Sequence, residues 1–435
     1  MKYEYQISVI LPSLNVVNYI DECLESVKKQ TCSQIEMICV DAGSNDGTYE
    51  YLINMSKNDK RIKVIRSEKK SYGYQLNLGI KQAKGKYIAI VETDDLIDNH
   101  MLEILYGYAE DKQLDFVKAD YKGFVDEEDE RIVTTYKTLS GYEELYGKVI
   151  NTSDYLFLFQ QDQSLWKGIY RKDFLEHNHI AFHETTGAAY QDIGFTMQIL
   201  SLSNKAMYIP MCFYLYRMDR EESSSFKPQV LQFIQAEFEW IFCSLQIENK
   251  GIYYRLSCAF IAELEVLLYR LNYEMNKEYI LEPYEWITNK INYAISSDIL
   301  SEQDFEPDRW TDLQLALTDL RTYICCKKTK FEIAKDRQNH LLRFAKNEKI
   351  IVWGTGINGI QVKRILQHMG IDIVAFADND ADKWGEKVGK TEILSKAECL
   401  ERYSDASYVI ANSVHWLEIK KDLQKNGIKK VFLWR

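Results

Sequence analysis

Three short apolar runs in the first 95 residues each end in a polar cluster, and this pattern constrains the fold more than any other feature. Ile7-Ser8-Val9-Ile10-Leu11 reads as a buried strand stopped by Pro12. A helix is predicted over about Tyr19–Gln30, where Ile20, Leu24 and Val27 share one face. Ile35–Val40 is a second strand, ending in Asp41-Ala42-Gly43-Ser44-Asn45-Asp46-Gly47. Lys63-Val64-Ile65 is a third, and Tyr87–Val91 a fourth that runs straight into Glu92-Thr93-Asp94-Asp95. Strands alternating with helices predict βαβ units and a parallel sheet. Ligands of such sheets bind outside the carboxyl ends of the strands. Neighbouring strands lie ~4.8 Å apart, so the three polar ends can converge on one crevice.

The carboxylates of Asp94 and Asp95 are hard oxygen donors, suited to Mg²⁺ or Mn²⁺ held together with water and phosphate. A cation there would stabilise the charge that develops on a departing nucleoside diphosphate. The plainer reading has Thr93, Asp94 and Asp95 opening the next loop and helix, where Asp is a common cap. The net charge of −11 opposes nonspecific nucleic-acid binding, which depends on cations meeting phosphates. It permits an anionic small ligand, because one divalent metal reverses the sign locally. Nine scattered cysteines without metal-ligand spacing suggest reduced, mostly buried thiols and no structural zinc. No apolar run approaches the length of a membrane span, and the first residues do not read as a signal peptide. A cytoplasmic protein is expected.

Composition along the chain predicts three domains, 1–225, 226–348 and 349–435. The middle one holds a single glycine, Gly251, and long helical-period segments such as Tyr253–Tyr273 and Trp310–Thr322. It reads as a helical linker or insert, for which dimerisation and membrane-surface contact are both left open. From Lys349 the strand–glycine–helix pattern returns. Ile350-Ile351-Val352-Trp353 precedes Gly354-Thr355-Gly356-Ile357-Asn358-Gly359 and a helix through about His368. The strand Ile373–Ala377 ends in Asp378, 19 residues after Gly359, and Tyr408–Ala411 and Lys430–Leu433 supply further strands. Gly354, Gly356, Gly359 and Asp378 are therefore candidate ligand residues of a small Rossmann-like domain, whose helix N-terminus suits a pyrophosphate. The unit is short for a complete dinucleotide fold, and some units of this kind only pack.

Residues 7–100 resemble the family 2 glycosyltransferases of the GT-A fold, which build bacterial surface polysaccharides. The resemblance rests on Ser8-Val9-Ile10-Leu11-Pro12-Ser13-Leu14-Asn15, Val40–Thr48, Asn77-Leu78-Gly79-Ile80 and Gly85-Lys86-Tyr87-Ile88, in that order. Glu92-Thr93-Asp94-Asp95 stands at the family's Asp-x-Asp element. The resemblance implies that Pro12 and Asn15 border the nucleotide, that Asp41 lies near base and ribose, and that Asp94 and Asp95 serve the diphosphate–metal unit. Four positions depart from the family's pattern: Ala42 for a frequent Asp, Leu14 for a common Tyr, Leu76 for a frequent Arg, and Glu92 for the usual first Asp. They leave the nucleotide base open, with UDP as the default.

An inverting transferase needs a base that takes the proton of the attacking hydroxyl. From the residues alone, Asp192 reads equally as that base or as a helix N-cap. By the resemblance, Gln191-Asp192 stands where the family carries an acidic element whose Asp acts as base. Trp166-Lys167-Gly168-Ile169-Tyr170-Arg171 resembles the family's acceptor-side strand. Trp166 and Gln191 are thus acceptor or sugar candidates, although a buried aromatic is an equal reading of Trp166. Tyr214-Leu215-Tyr216-Arg217, followed by Ser223–Ser225, resembles the closing strand, where Arg217 could meet phosphate or pair with a surface carboxylate. His177, His179 and His183 read as ordinary loop histidines.

The expected fold is α/β, with a GT-A domain, a helical middle and a small Rossmann-like domain. The expected function is metal-dependent, inverting transfer from a nucleotide-diphospho-sugar to a carbohydrate or lipid-linked acceptor. An NAD-dependent oxidoreductase centred on Gly354–Asp378 and a non-catalytic scaffold are the alternatives.

Overall fold

The computed structural model describes residues 3–127, 130–188, 190–218, 229–270, 277–412 and 415–434. Ser223–Ser225 and the expected boundary at 225/226 lie outside the described residues. The chain divides into two compact units, Met1–Val125 with Val133–Tyr323, and Ile324–Arg435 with the short segment Asp126–Ile132.

In the first unit β1 (Tyr5–Ser13), β2 (Ile35–Asp41), β3 (Ile62–Arg66) and β4 (Gly85–Ile90) pair in parallel. Helices α1 (Ile20–Lys28), α2 (Thr48–Asn58) and α3 (Tyr72–Gln82) connect them. Their order is β3-β2-β1-β4, so the winding reverses between β1 and β4 and opens a crevice at their carboxyl ends. Side chains alternate across a strand: Ile7, Val9 and Leu11 enter one core and Ile10 the other, which is why β1 reads as a continuous apolar run.

Past β4 come the short β5 (Leu96–Ile97), α4 (Met101–Lys112), β6 (Phe116–Glu127) and β7 (Glu130–Tyr136). They are followed by α5 (Leu158–Gln161), β8 (Gly168–Arg171), α6 (Lys172–His177), α7 (Gln191–Leu202) and β9 (Ala206–Arg217). The sheet continues as β4-β8-β6-β9-β5, with β7 beside β6. Strand β8 runs antiparallel to both β4 and β6. The β6–β9 register shifts around Asp120, opposite the Ile209–Cys212 stretch that contains Pro210. Proline has no N–H for the ladder, so a bulge there accommodates it.

Helices α8 (Val230–Glu239), α9 (Lys250–Arg270), α10 (Lys277–Ser296) and α11 (Pro307–Thr318) belong to this same unit. Ile234, Phe260 and Ile287 share a core with Ile10 and Ile88 of the sheet.

The second unit begins within α12 (Leu320–Ala345), whose Leu341 and Ala345 pack under a six-stranded sheet. Its strands are β10 (Ile350–Trp353), β11 (Ile373–Ala377), β12 (Lys387–Val388), β13 (Thr391–Leu394), β14 (Ser407–Ile410) and β15 (Val431–Leu433). The order is β12-β13-β11-β10-β14-β15, parallel except at β12, with α13 (Ile357–His368), α14 (Lys396–Arg402) and α15 (Trp416–Lys425) as connections. The four expected strands are present. The β12–β13 hairpin escapes a sequence reading because its strands are only two and four residues long.

Gly359 sits where a Cβ would lie 1.9 Å from the Gly354 carbonyl oxygen. A Gly359→Ala variant is expected to cost about 1–3 kcal/mol, the usual scale of overpacking. Urea unfolding followed by a reporter in this unit checks it, and an unchanged midpoint would contradict the packing argument. No helix among the described residues is long and apolar enough to cross a membrane.

Candidate active site

The crevice between β1 and β4 is built from loops that tie themselves down with side-chain oxygens. Asp41, fully buried, accepts the N–H groups of Gly43 (3.0 Å) and Ser44 (3.1 Å) and shapes the loop after β2. Asn15 holds φ 53° and is exposed. Its N–H donates to Ser44 Oγ at 2.9 Å and its side-chain oxygen accepts the Asn45 N–H at 3.0 Å, joining the loops after β1 and β2. The Thr93 hydroxyl donates to the carbonyl of buried Pro12 at 2.8 Å and joins the loops after β1 and β4. The three polar strand ends therefore meet.

Asp94 and Asp95 do not cap the next helix, which begins at Met101 with His100 before it. Asp95 is 1% exposed and accepts the Tyr214 hydroxyl (2.8 Å) and the Arg217 N–H (2.7 Å). Burial, with the charge of Asp94, pushes its carboxyl well above the usual range, against the pull of those two hydrogen bonds. Asp94 is half-buried, and its carbonyl accepts the Arg217 guanidinium at 3.1 Å. That guanidinium lies over Phe124 and Tyr19 and stands 3.5 Å from Glu22. Arg217 thus anchors the acidic loop from the end of β9.

Trp166 stacks on Tyr214 (4.2 Å) and Tyr216 (5.2 Å), and of the two tyrosines it is Tyr216 that is exposed. Buried Gln191 spends its amide nitrogen on Thr185 Oγ1 (2.6 Å) and the Gly187 carbonyl, bracing the loop before α7.

That loop is fastened to α3. The Tyr72 N–H donates to the Gly187 carbonyl and the Gly187 N–H to the Lys70 carbonyl, while the Asn77 side chain donates to the Phe182 carbonyl and accepts the Phe182 N–H. At the other side of α3, buried Gln75 donates to the carbonyls of Ser13 (3.0 Å) and Val40 (2.6 Å). One helix therefore joins the ends of β1 and β2 to the loop that precedes Asp192. The Tyr72 hydroxyl donates to Glu92, and the phenol also feels the charge of Asp192.

Asp192 occupies the first turn of α7, where the residue before the helix is Tyr190, held at φ 67°. Its carboxyl is pushed up by burial, with the guanidinium of Arg255 and the Ile193 N–H pulling partly back. Arg255 is 8% exposed and comes from α9; Tyr190 donates to Glu263 of the same helix at 2.9 Å. A sequence reading misses Tyr72, Arg255, Glu237 and Glu263. Each looks like one more residue on an amphipathic helix, and no spacing signals its partner.

For a divalent cation, the described residues hold no grouping of three His, Cys, Asp or Glu side chains. One accessible carboxylate, Asp94, beside a buried and doubly hydrogen-bonded Asp95 fits a cation that draws its other oxygens from substrate phosphates and water.

In the second unit, Gly354 holds φ 108° and donates to the Ala377 carbonyl, while Gly356 precedes α13 and is exposed. The Asp378 carboxylate accepts the Thr355 N–H (3.2 Å), the Thr355 hydroxyl (2.6 Å) and the Asp380 N–H (3.0 Å). It is engaged in shaping its own loop.

A family model described as glycosyl transferase family 2 matches residues 8–174. Glycosyltransferase GlyG of Streptococcus pneumoniae serotype 4 is 32% identical over 220 residues, covering 48% of this chain and 70% of that protein. The chain belongs to glycosyltransferase family 2. The transferase is also 27% identical over 240 residues to the uncharacterized glycosyltransferase EpsJ of Bacillus subtilis, covering 54% of this chain and 67% of EpsJ. Among solved structures, residues 1–349 of S. aureus TarS superpose with a TM-score of 0.55 at 19% identity, covering 76% of this chain and 91% of that one. This likeness establishes the GT-A fold of the transferase. The same TarS fragment has also been solved in complex with UDP-GlcNAc, with a TM-score of 0.55. A second family model, described as C2185-like, N-terminal, matches residues 346–431.

Proposed function

We propose that the transferase moves a sugar with inversion from a nucleoside-diphosphate donor, UDP by default, to a hydroxyl of a carbohydrate or lipid-linked acceptor in bacterial surface polysaccharide synthesis. The observation that carries this reading is Asp192. Its carboxyl has a raised proton affinity and shares Tyr72 as a neighbour with the acidic loop at the β1–β4 switch point. The UDP-GlcNAc complex of TarS supports the choice of donor class.

In the proposed reaction, the acceptor oxygen attacks the anomeric carbon and its proton passes to Asp192. The bond from that carbon to the β-phosphate oxygen breaks, and its electron pair leaves on the nucleoside diphosphate. Asp94 would hold Mn²⁺ or Mg²⁺ against the diphosphate, and Asp95 would keep the Asp94–Arg217 loop in place. Bound there, the cation supplies charge stabilisation of the leaving group. The loops of Asn15 and Asp41 would border the nucleotide.

A screen of nucleotide-sugars for release of nucleoside diphosphate, with Mn²⁺, Mg²⁺ or a chelator, tests the reading. Metal-stimulated turnover of a UDP-sugar is expected, and turnover of no nucleotide-sugar under any condition would overturn it. Asp94→Asn is expected to weaken metal-dependent binding of the donor by about 10–100-fold, the scale on which metal-site partners act. Calorimetry checks this, and equal affinities with and without metal in wild type and variant would remove the metal from Asp94.

A further inference from the structure

The first turn of α7 has an acidic neighbour from the helical middle. Glu237 of α8 is 1% exposed, and its Oε1 lies 2.9 Å from Nδ1 of His183. Its Oε2 is buried without a hydrogen-bond partner. That oxygen is pressed against α7 so closely that a Cβ on Gly194, two residues beyond Asp192, would lie 2.5 Å from it. His183 stacks on Trp240 at 4.8 Å and keeps a quarter of its side chain in solvent. A buried carboxylate with an unsatisfied oxygen costs stability. An apolar residue would pack there without that cost, so the arrangement calls for a use.

We infer that Glu237, oriented by His183, is a positioning residue for transfer, a buried acid near Asp192 whose ionisation strengthens that base. The inference rests on the reading of Asp192 as base. Two neighbouring carboxyls do not ionise independently, because the first charge opposes the second. Burial pushes Glu237 up to about 7, with His183 pulling down and Asp192 adding to the rise. Glu237 therefore ionises near neutrality, beside a histidine that reaches water. Asp192 is also faced by Arg255 from α9, Tyr72 from α3 and Tyr190 from the loop, and Tyr190 in turn by Glu263 of α9.

The test follows the side-chain carboxyl carbon of Glu237 by NMR against pH in the full chain, with the resonance assigned by its loss in Glu237→Gln. An inflection near 7 is expected in wild type. In Asp192→Asn it should move down by about one pH unit, because a like charge has gone. An inflection that stays in place in Asp192→Asn overturns the inference. With the donor found in the screen above, Glu237→Gln should be about 3–10-fold slower than wild type above about pH 8 and nearly equal below about pH 6. A loss that is uniform in pH would mean packing alone, and would also overturn it. Should Glu237→Gln fail to fold, His183→Asn decides: the wild-type rise in rate should move to higher pH, and an unmoved rise overturns the proposal. An Asp192→Asn variant that still turns over donor removes the base, and this inference with it. An inactive Asp192→Asn with an unmoved Glu237 titration removes only the coupling.

Discussion

Asp192→Asn is expected to lower sugar transfer by about 10³-fold, within the usual range for losing a general base, while donor affinity stays within about twofold. The amide keeps the shape and the contact to the Ile193 N–H but cannot take the acceptor proton. The loops proposed to border the nucleotide, tied by Asp41, Asn15 and Thr93, lie on other segments and should be untouched. Initial rates and calorimetric donor binding, measured side by side, check both halves. Wild-type turnover in this variant would end the assignment of the base. The raised proton affinity of Asp192 also gives an acid limb to the rate. Activity should fall as pH drops through a value raised above the ordinary one of an aspartate, because a protonated Asp192 has no room for a second proton.

Asp162→Ala is expected to cost about 3–5 kcal/mol of stability, the scale for breaking a buried pair. Asp162 is fully buried between Lys118 Nζ (2.7 Å) and Lys167 Nζ (3.0 Å), and Tyr208 donates to it at 2.7 Å. Burial alone would push its carboxyl up, yet the two ammonium groups and these hydrogen bonds hold it below its ordinary value. Burial brings Lys118 down to about 8 even with Asp162 present. Without Asp162, two ammonium groups face each other in the core. Lys118 would bind its proton more weakly folded than unfolded, so the unfolded chain holds more protons and stability rises with pH through that range. The defect should therefore shrink between about pH 7 and pH 9. Urea unfolding at both values checks it, and a constant defect would contradict the charge argument. The cluster sits beside Trp166, where the Lys167 carbonyl accepts the Ala119 N–H, so it also secures the β6–β8 edge behind the site.

How legible each part was follows from the range of the forces involved. The parallel half was readable because burial on both faces of β1, β2 and β4 demands continuous apolar runs, and the crevice needs loops rich in Asp, Asn and Ser at their ends. The β10–α13 unit was readable because Gly359 must admit the Gly354 carbonyl. Other features were not. Trp166 was ambiguous because an aromatic side chain suits a sugar face and a tyrosine stack equally well. Asp95 looked like a partner to Asp94, yet Tyr214 and the Arg217 N–H, more than a hundred residues later, turn its carboxylate inward. His183 looked like an ordinary loop residue until α8 placed Glu237 beside it.

By itself, then, the amino-acid order determined the alternation of elements, the polar strand ends and the candidate acids, because these depend on residue type and on spacing within one turn or strand. Only the tertiary structure decided that Asp94 stays half-buried, that Asp95 is held inward, and that the middle helices bring Arg255 and Glu237 near Asp192. Those outcomes depend on desolvation and on charges a few ångströms apart. Such distances are created when distant segments pack, and nothing in the local sequence records them.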